Sequence, residues 1–318
     1  MKQMFKLIIM IAIFLILTIF LSSRFYYKRS LLATVAEIYL KVTNYEKVTQ
    51  EKMEAWLRER KCMKEELYML PNGYYENILI KEYMGMQVLH LNENGKGDVV
   101  IYLHGGSYIH EPDPNHFTFL YNLIKKSDIR VILPIYPRAP KYNFKDAYEK
   151  VISLYKEISK DKDVVLMGDS AGGGFALGLT EELKKLSIKA PKKIIAISPW
   201  VDLTMENTDI LLYEKVDPWL QSSKLMAAAK FWSDGQDLKD SRLSPIFGDV
   251  SALKNLTIIT GTRDILYPDI MLLVDKLRKE KVKFNLIVGE NLNHDYPLFP
   301  IPEAKKSVDI IADILNEN

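Results

Sequence analysis

Residues 164–175 read VVLMGDSAGGGF: an apolar, β-branched run delivers one serine, Ser170, into a cluster of four glycines. Gly168-Asp169-Ser170-Ala171-Gly172 has the G-x-S-x-G spacing of a sharp strand-to-helix turn that lifts a serine hydroxyl above a sheet. Such a hydroxyl is a weak nucleophile near neutral pH. It needs a base within hydrogen-bond reach and a third group to orient that base. Downstream, the run Leu256–Thr260 leads to Asp264, and the run Phe284–Val288 leads to His294. Serine, aspartate and histidine thus follow one another in the chain order that this turn usually keeps. The strand-like run ending at Leu103 opens into His104-Gly105-Gly106-Ser107, a loop suited to offering main-chain N–H groups to an oxyanion, with the Ala171 N–H as a second source. The chemistry these types support is acyl transfer, from an ester or from an amide.

These residues need a scaffold, and the pattern of the chain predicts one. Short apolar runs at Asp98–Leu103, Ile129–Leu133, Val164–Met167, Ile194–Ile197, Leu256–Thr260 and Phe284–Val288 read as strands. Helix-like segments at Asp146–Ile158, Ala171–Leu186, Pro268–Glu280 and Pro302–Leu315 lie among them. Alternation of this kind implies a mostly parallel sheet covered on both faces, with function gathered beyond the strand C-termini. Ser30 to about Lys64 reads as amphipathic helix, and Pro71-Asn72-Gly73 as a turn. Residues 201–250 separate two strands by far more than the usual few residues, and carry Trp219, Phe231 and Trp232. That stretch reads as an inserted helical subdomain over the functional edge, its aromatics serving either a pocket wall or the insert's own core.

Composition excludes several classes. With 318 residues and a net charge of +2, the chain can bury a large core but has no basic stripe for nucleic acid. Cys62 is the single cysteine, so no internal disulfide forms. His104, His110 and His116 recur every six residues, but lie among strand, turn and loop signals that do not favour a metal site. At the amino terminus, Leu7–Leu21 is an almost unbroken apolar run. With its flanks it spans about 30 Å as a helix, enough for a bilayer core. Phe25, Tyr26 and Tyr27 would sit at the interface. Residues 1–23 are therefore expected to be an uncleaved membrane anchor, the alternative being a secretory signal whose cleavage pattern is poor at Leu21. A buried core helix is the weakest reading, because the run has no polar face.

The motifs HGGSY (104–108), YPRAPKYNFKDA (136–147), GDSAGG (168–173), SPWVDLT (198–204), the segment 244–269 and NHDYPLF (293–299) occur together in order. In this the chain resembles the hormone-sensitive-lipase-like carboxylesterases of the α/β-hydrolase superfamily, from about Asn94 onward. The resemblance implies an α/β-hydrolase fold over residues 24–318, with a helical cap from about 24–86 and 201–250. It implies Ser170 as nucleophile, His294 as base and then acid, and Asp264 as its orienting carboxylate. Gly105, Gly106, Ser107 and Ala171 would form the oxyanion hole, and Tyr108, Trp200 and Trp219 would meet the substrate. No metal or organic cofactor is implied. Two positions differ from the family pattern: Ser107 stands where a third glycine is usual, and Asp295 where a glycine commonly follows the histidine. The expected protein is a membrane-tethered serine carboxylesterase for small to medium, lipophilic esters. Amidase or formamidase chemistry, and a non-catalytic ligand-binding role, remain the alternatives.

Overall fold

A computed structural model describes residues 2–64, 66–71, 73 and 78–317. Asn72, the middle of the expected Pro71–Gly73 turn, lies outside the described residues. In chain order the helices are α1 (Lys2–Leu21), α2 (Leu31–Thr43), α3 (Gln50–Lys61), α4 (Pro114–Ser127), α5 (Phe144–Ser159), α6 (Ser170–Lys185), α7 (Ile210–Tyr213), α8 (Ser222–Ser233), α9 (Tyr267–Lys279) and α10 (Pro302–Asn316). The strands are β1 (Ile78–Tyr83), β2 (Met86–Leu91), β3 (Val99–Leu103), β4 (Arg130–Pro134), β5 (Val164–Asp169), β6 (Lys193–Ile197), β7 (Leu256–Arg263) and β8 (Phe284–Asn293).

The eight strands form one sheet in the order β1-β2-β4-β3-β5-β6-β7-β8. From β4 to β8 every pairing is parallel, while β1 and β2 enter as an antiparallel hairpin at one edge. The central strands β3 and β5 are buried along their whole length. Successive strand residues point to opposite faces, so Val99, Ile101 and Leu103 join one core and Val100 and Tyr102 the other. The first core is closed by α5, α6, α8 and α9, the second mainly by α4 and α10.

The expected strands and late helices are all present, with differences at their ends. The segment expected as one helix from Ser30 to Lys64 is two, because Ser30 and Thr49 each accept a main-chain N–H and start a helix afresh. Helix α4 lies outside the expected helical segments. Asp113, Pro114 and His116 cap it in a reciprocal box, a signal hidden by reading His116 only as one of three spaced histidines. Strand β8 runs on to Asn293 after a register shift near Gly261. Residues 201–250 hold α7, α8 and a short 3₁₀ turn at Pro245–Phe247 among irregular chain. Helix α8 packs on α3, tied by Lys230 to Glu54 at 2.7 Å and by the Gln221 amide to Glu46 O at 3.0 Å.

Candidate active site

The β5–α6 turn holds Ser170 at φ 51°, in the left-handed region that side chains adopt only under constraint. The constraint is the close crossing of β5 and α6 with the end of β3. A Cβ on Gly172 would run into the Leu103 carbonyl oxygen, so only glycine fits there. Ser170, His294, Gly106, Ser107 and Trp219 line one cavity of about 520 Å³ beyond the strand C-termini.

Asp264 and His294 leave neighbouring strands β7 and β8. His294 Nδ1 sits 2.8 Å from Asp264 Oδ2, and both side chains are buried. Asp264 Oδ1 accepts the Leu266 N–H at 2.8 Å, which sets the rotation of the carboxylate. Asp217, from the insert, supports this loop. Its carboxylate accepts N–H groups from Ile265, Trp219 and Leu220. Burial first, and the charge of Asp264 second, push its carboxyl up to about 7.

The other imidazole nitrogen is engaged. His294 Nε2 lies 3.0 Å from Asp295 Oδ2. Asp295 sits at φ 52° with its N–H on the Ser198 hydroxyl, so its side chain turns back toward the histidine. Burial, reinforced by the charges of Asp169 and Asp264, pushes the Asp295 carboxyl up to about 7 against the opposing pull of His294. Burial alone would depress His294, but the carboxylates of Asp264 and Asp295 outweigh it and hold the imidazole well above its ordinary value. In the expected role of general base, His294 acts only once it is neutral. Asp295→Asn keeps an αL-tolerant residue and removes one charge that stabilises the imidazolium. The acidic limb of kcat/KM against pH should therefore move down by about one pH unit, with activity gained near pH 6. A limb unchanged from the parent would show that Asp295 does not bear on the base.

The loop after β3 is held from below by Asp169, the residue before Ser170. Asp169 Oδ1 accepts the Tyr102 hydroxyl at 2.6 Å and the Gly105 N–H at 3.0 Å. Asp169 Oδ2 lies 3.2 Å from His116 Nε2, whose Nδ1 is 3.0 Å from Asp113. Burial opposes a charged imidazole at His116, but Asp169 and Asp113 overcome it and push it up to about 10. His104 is different: burial pushes it down to about 3, and its neutral ring stacks on Tyr136 with centroids 4.4 Å apart. None of the supporting residues Asp169, His116, Tyr102 and Asp217 had a motif of its own; only the x of G-x-S-x-G pointed toward one of them.

Three expectations change in detail. The Gly105 N–H is committed to Asp169, so Gly105 is not a free donor toward the cavity. Gly106 and Ser107 follow at φ 112° and 55°, which points the chain's next N–H groups differently, and Ser107 carries an αL cost of about 1–2 kcal/mol that glycine would not. The Ala171 N–H lies in the first turn of α6, where no intrahelical acceptor reaches it. Tyr108 and Trp200 do not reach the cavity. Tyr108 lies flat on Trp232, 4.4 Å between centroids, with Trp200 5.9 Å away, all fully buried as core. The large apolar area of these rings is better removed from water than left on a wall. Trp219 does stand in the wall, edge-on to His294 at 5.7 Å.

Residues 100–298 match a family described as having the alpha/beta hydrolase fold. An esterase of Acinetobacter venetianus is 27% identical over 222 residues, covering 68% of this chain and 73% of that protein. An acetyl-hydrolase of Streptomyces hygroscopicus is 25% identical over 225 residues, covering 69% and 75%. The crystal structure of a Staphylococcus aureus esterase matches with a TM-score of 0.81 at 26% identity, over 86% of this chain and 95% of that one. A hormone-sensitive lipase from a metagenome library shares the fold, with a TM-score of 0.76 at 20% identity over 89% and 97%. With the strand order, the serine turn and the Asp–His pair in place, the chain belongs to the α/β-hydrolase family and is a carboxylic ester hydrolase.

Proposed function

We propose that this carboxylesterase cleaves small to medium, lipophilic carboxylic esters through an acyl-enzyme on Ser170. The observation that carries the reading is the strained Ser170 turn opening on the same cavity as a buried imidazole aligned by Asp264. Substrate displaces the Asp295 contact from His294 Nε2, and that nitrogen takes the Ser170 proton as Oγ attacks the carbonyl. Asp264 keeps the proton of the imidazole on Nδ1 and stabilises the imidazolium. The N–H groups of Gly106, Ser107 and Ala171 receive the developing oxyanion, which is where such donors lower a barrier most. His294 then protonates the departing alcohol and activates the water that frees the acid. Trp219 gives the site an apolar wall, and the relatives called esterase and acetyl-hydrolase support a modest acyl group.

The cap is assigned to α2, α3 and residues 201–250, since α3 and α8 pack together and Trp219 and Gln221 reach the cavity. Helix α1 is assigned as a retained membrane anchor. Gln3–Tyr26 is a continuous helical stretch of 24 residues whose most apolar window has mean hydropathy 2.9 and is entirely unburied. The test is covalent. A fluorophosphonate probe should label the purified full-length chain once, with Ser170→Ala unlabelled and His294→Ala labelled far more slowly. Labelling that survives in Ser170→Ala at the parent's rate would move the nucleophile elsewhere.

A further inference from the structure

Helix α2 is amphipathic in the reverse sense to a soluble surface helix. Its inward face buries Thr34 and Glu37 beside Ala33 and Leu40. Its outward face carries Leu32, Val35, Ile38, Tyr39 and Val42, each between 42% and 65% exposed. Their spacing of three and four residues makes one continuous stripe. A stripe of this kind facing water loses the burial that normally orients a helix.

The inward face explains why the helix does not simply turn over. Glu37 meets Arg29, Lys41 at 2.6 Å and Arg263 at 2.9 Å. Arg29 donates onward to Asn291 O at 2.6 Å. Ser23, at the end of the anchor stretch, donates to Thr34 at 2.8 Å, and the Ser30 hydroxyl donates to Glu303 at 2.8 Å. The joint between α1 and α2 is thus bolted to the catalytic domain by half-buried polar contacts, and its partners Arg263 and Asn291 flank Asp264 and His294 in the chain. The apolar anchor and the apolar stripe are held in one fixed relation. At the C-terminal end of α2, Asn44 and the exposed Tyr45 open a groove that shares Asn44, Trp219, Leu220 and Gln221 with the catalytic cavity.

We propose that α2 lies in the headgroup–acyl boundary of the bilayer that α1 enters, and that esters dissolved in that bilayer reach Ser170 along the groove at the end of α2. The proposal rests on the esterase reading above, and adds its substrate source. The stripe continues directly from an uncovered span through a rigid joint, so the occupant that meets α1 is the one that meets α2. Amphipathic helices with an apolar face of this sort settle about 5–10 Å into that boundary.

The experiment uses the full-length chain in phosphatidylcholine vesicles, in a Cys62→Ser background. An environment-sensitive fluorophore on Tyr39→Cys should shift to the blue and be quenched by headgroup-level nitroxide lipids. The same fluorophore on Lys279→Cys, at the end of α9, should do neither. The pair Val35→Glu and Tyr39→Glu should lower turnover of p-nitrophenyl dodecanoate dissolved in the vesicles by about tenfold or more, with p-nitrophenyl acetate in water unchanged. A water-like spectrum at position 39, or disulfide crosslinking of Tyr39→Cys between two copies, overturns the proposal, the second by giving the stripe to another copy of the chain. If the parent hydrolyses neither ester, the esterase reading fails while the fluorescence still decides where α2 lies.

Discussion

Ser170→Ala should fold as the parent does and lose turnover of p-nitrophenyl acetate by a factor on the order of 10⁶ in kcat. The loss is large because a triad acts as a unit: without Oγ, the aligned imidazole has no proton to take and no acyl-enzyme can form. Residual hydrolysis comes only from the oxyanion donors and from binding. The fold is expected to survive, since among the described residues no protein group depends on a hydrogen bond to the Ser170 hydroxyl. Alanine also has no greater difficulty than serine at φ 51°. Thermal unfolding measured beside the kinetics separates the two effects. A variant with the parent's melting temperature and turnover within tenfold of the parent would sink Ser170 as nucleophile.

Asp264→Asn should be nearly as damaging, by about 10⁴-fold in kcat, for a reason particular to this loop. The Leu266 N–H points at Oδ1 of residue 264 and demands an acceptor there. An asparagine satisfies it with its carbonyl oxygen, which turns its NH₂ toward His294 Nδ1. Nδ1 must then accept, the imidazole proton moves to Nε2, and the nitrogen facing the cavity can no longer take a proton from Ser170. Asp264→Ala loses the alignment without enforcing the wrong tautomer, and should retain more activity than the asparagine variant. Fluorophosphonate labelling rates, read on both variants at one pH, provide the comparison. Equal rates in parent and Asp264→Asn would remove Asp264 from the mechanism.

Asp295 qualifies how the base is reached. In the resting arrangement Nε2 is paired with a second carboxylate 3.0 Å away, so the proposed mechanism includes an exchange of partner as well as a proton transfer. The residue was visible in the sequence as a departure after His294, but its direction was not. Only φ 52° and the Ser198 hydroxyl on its N–H decide that the side chain folds back onto the imidazole.

The legible part of this protein is the part governed by local chemistry. Apolar runs of strand length, helical spacing, and the glycines around Ser170 each report on neighbours a few residues apart, so the α/β scaffold and the serine turn could be read without coordinates. The order Ser170, Asp264, His294 was legible for the same reason: each residue closes its own strand-like run. What the chain alone left open concerns contacts between distant segments. The Gly105 N–H is spent on Asp169 because β3 and β5 are neighbours in register, Leu103 opposite Gly168. Tyr108 sinks into the core because its loop meets Trp232 from α8, and Trp200 is buried with it because it stacks on Tyr108. Asp217 reaches the Asp264 loop from within an insert that carries no motif for it. Local patterning decides which elements form and which residues stand at their ends; packing decides which of those side chains have an unspent hydrogen bond left to offer the cavity, and no one-dimensional pattern records that remainder.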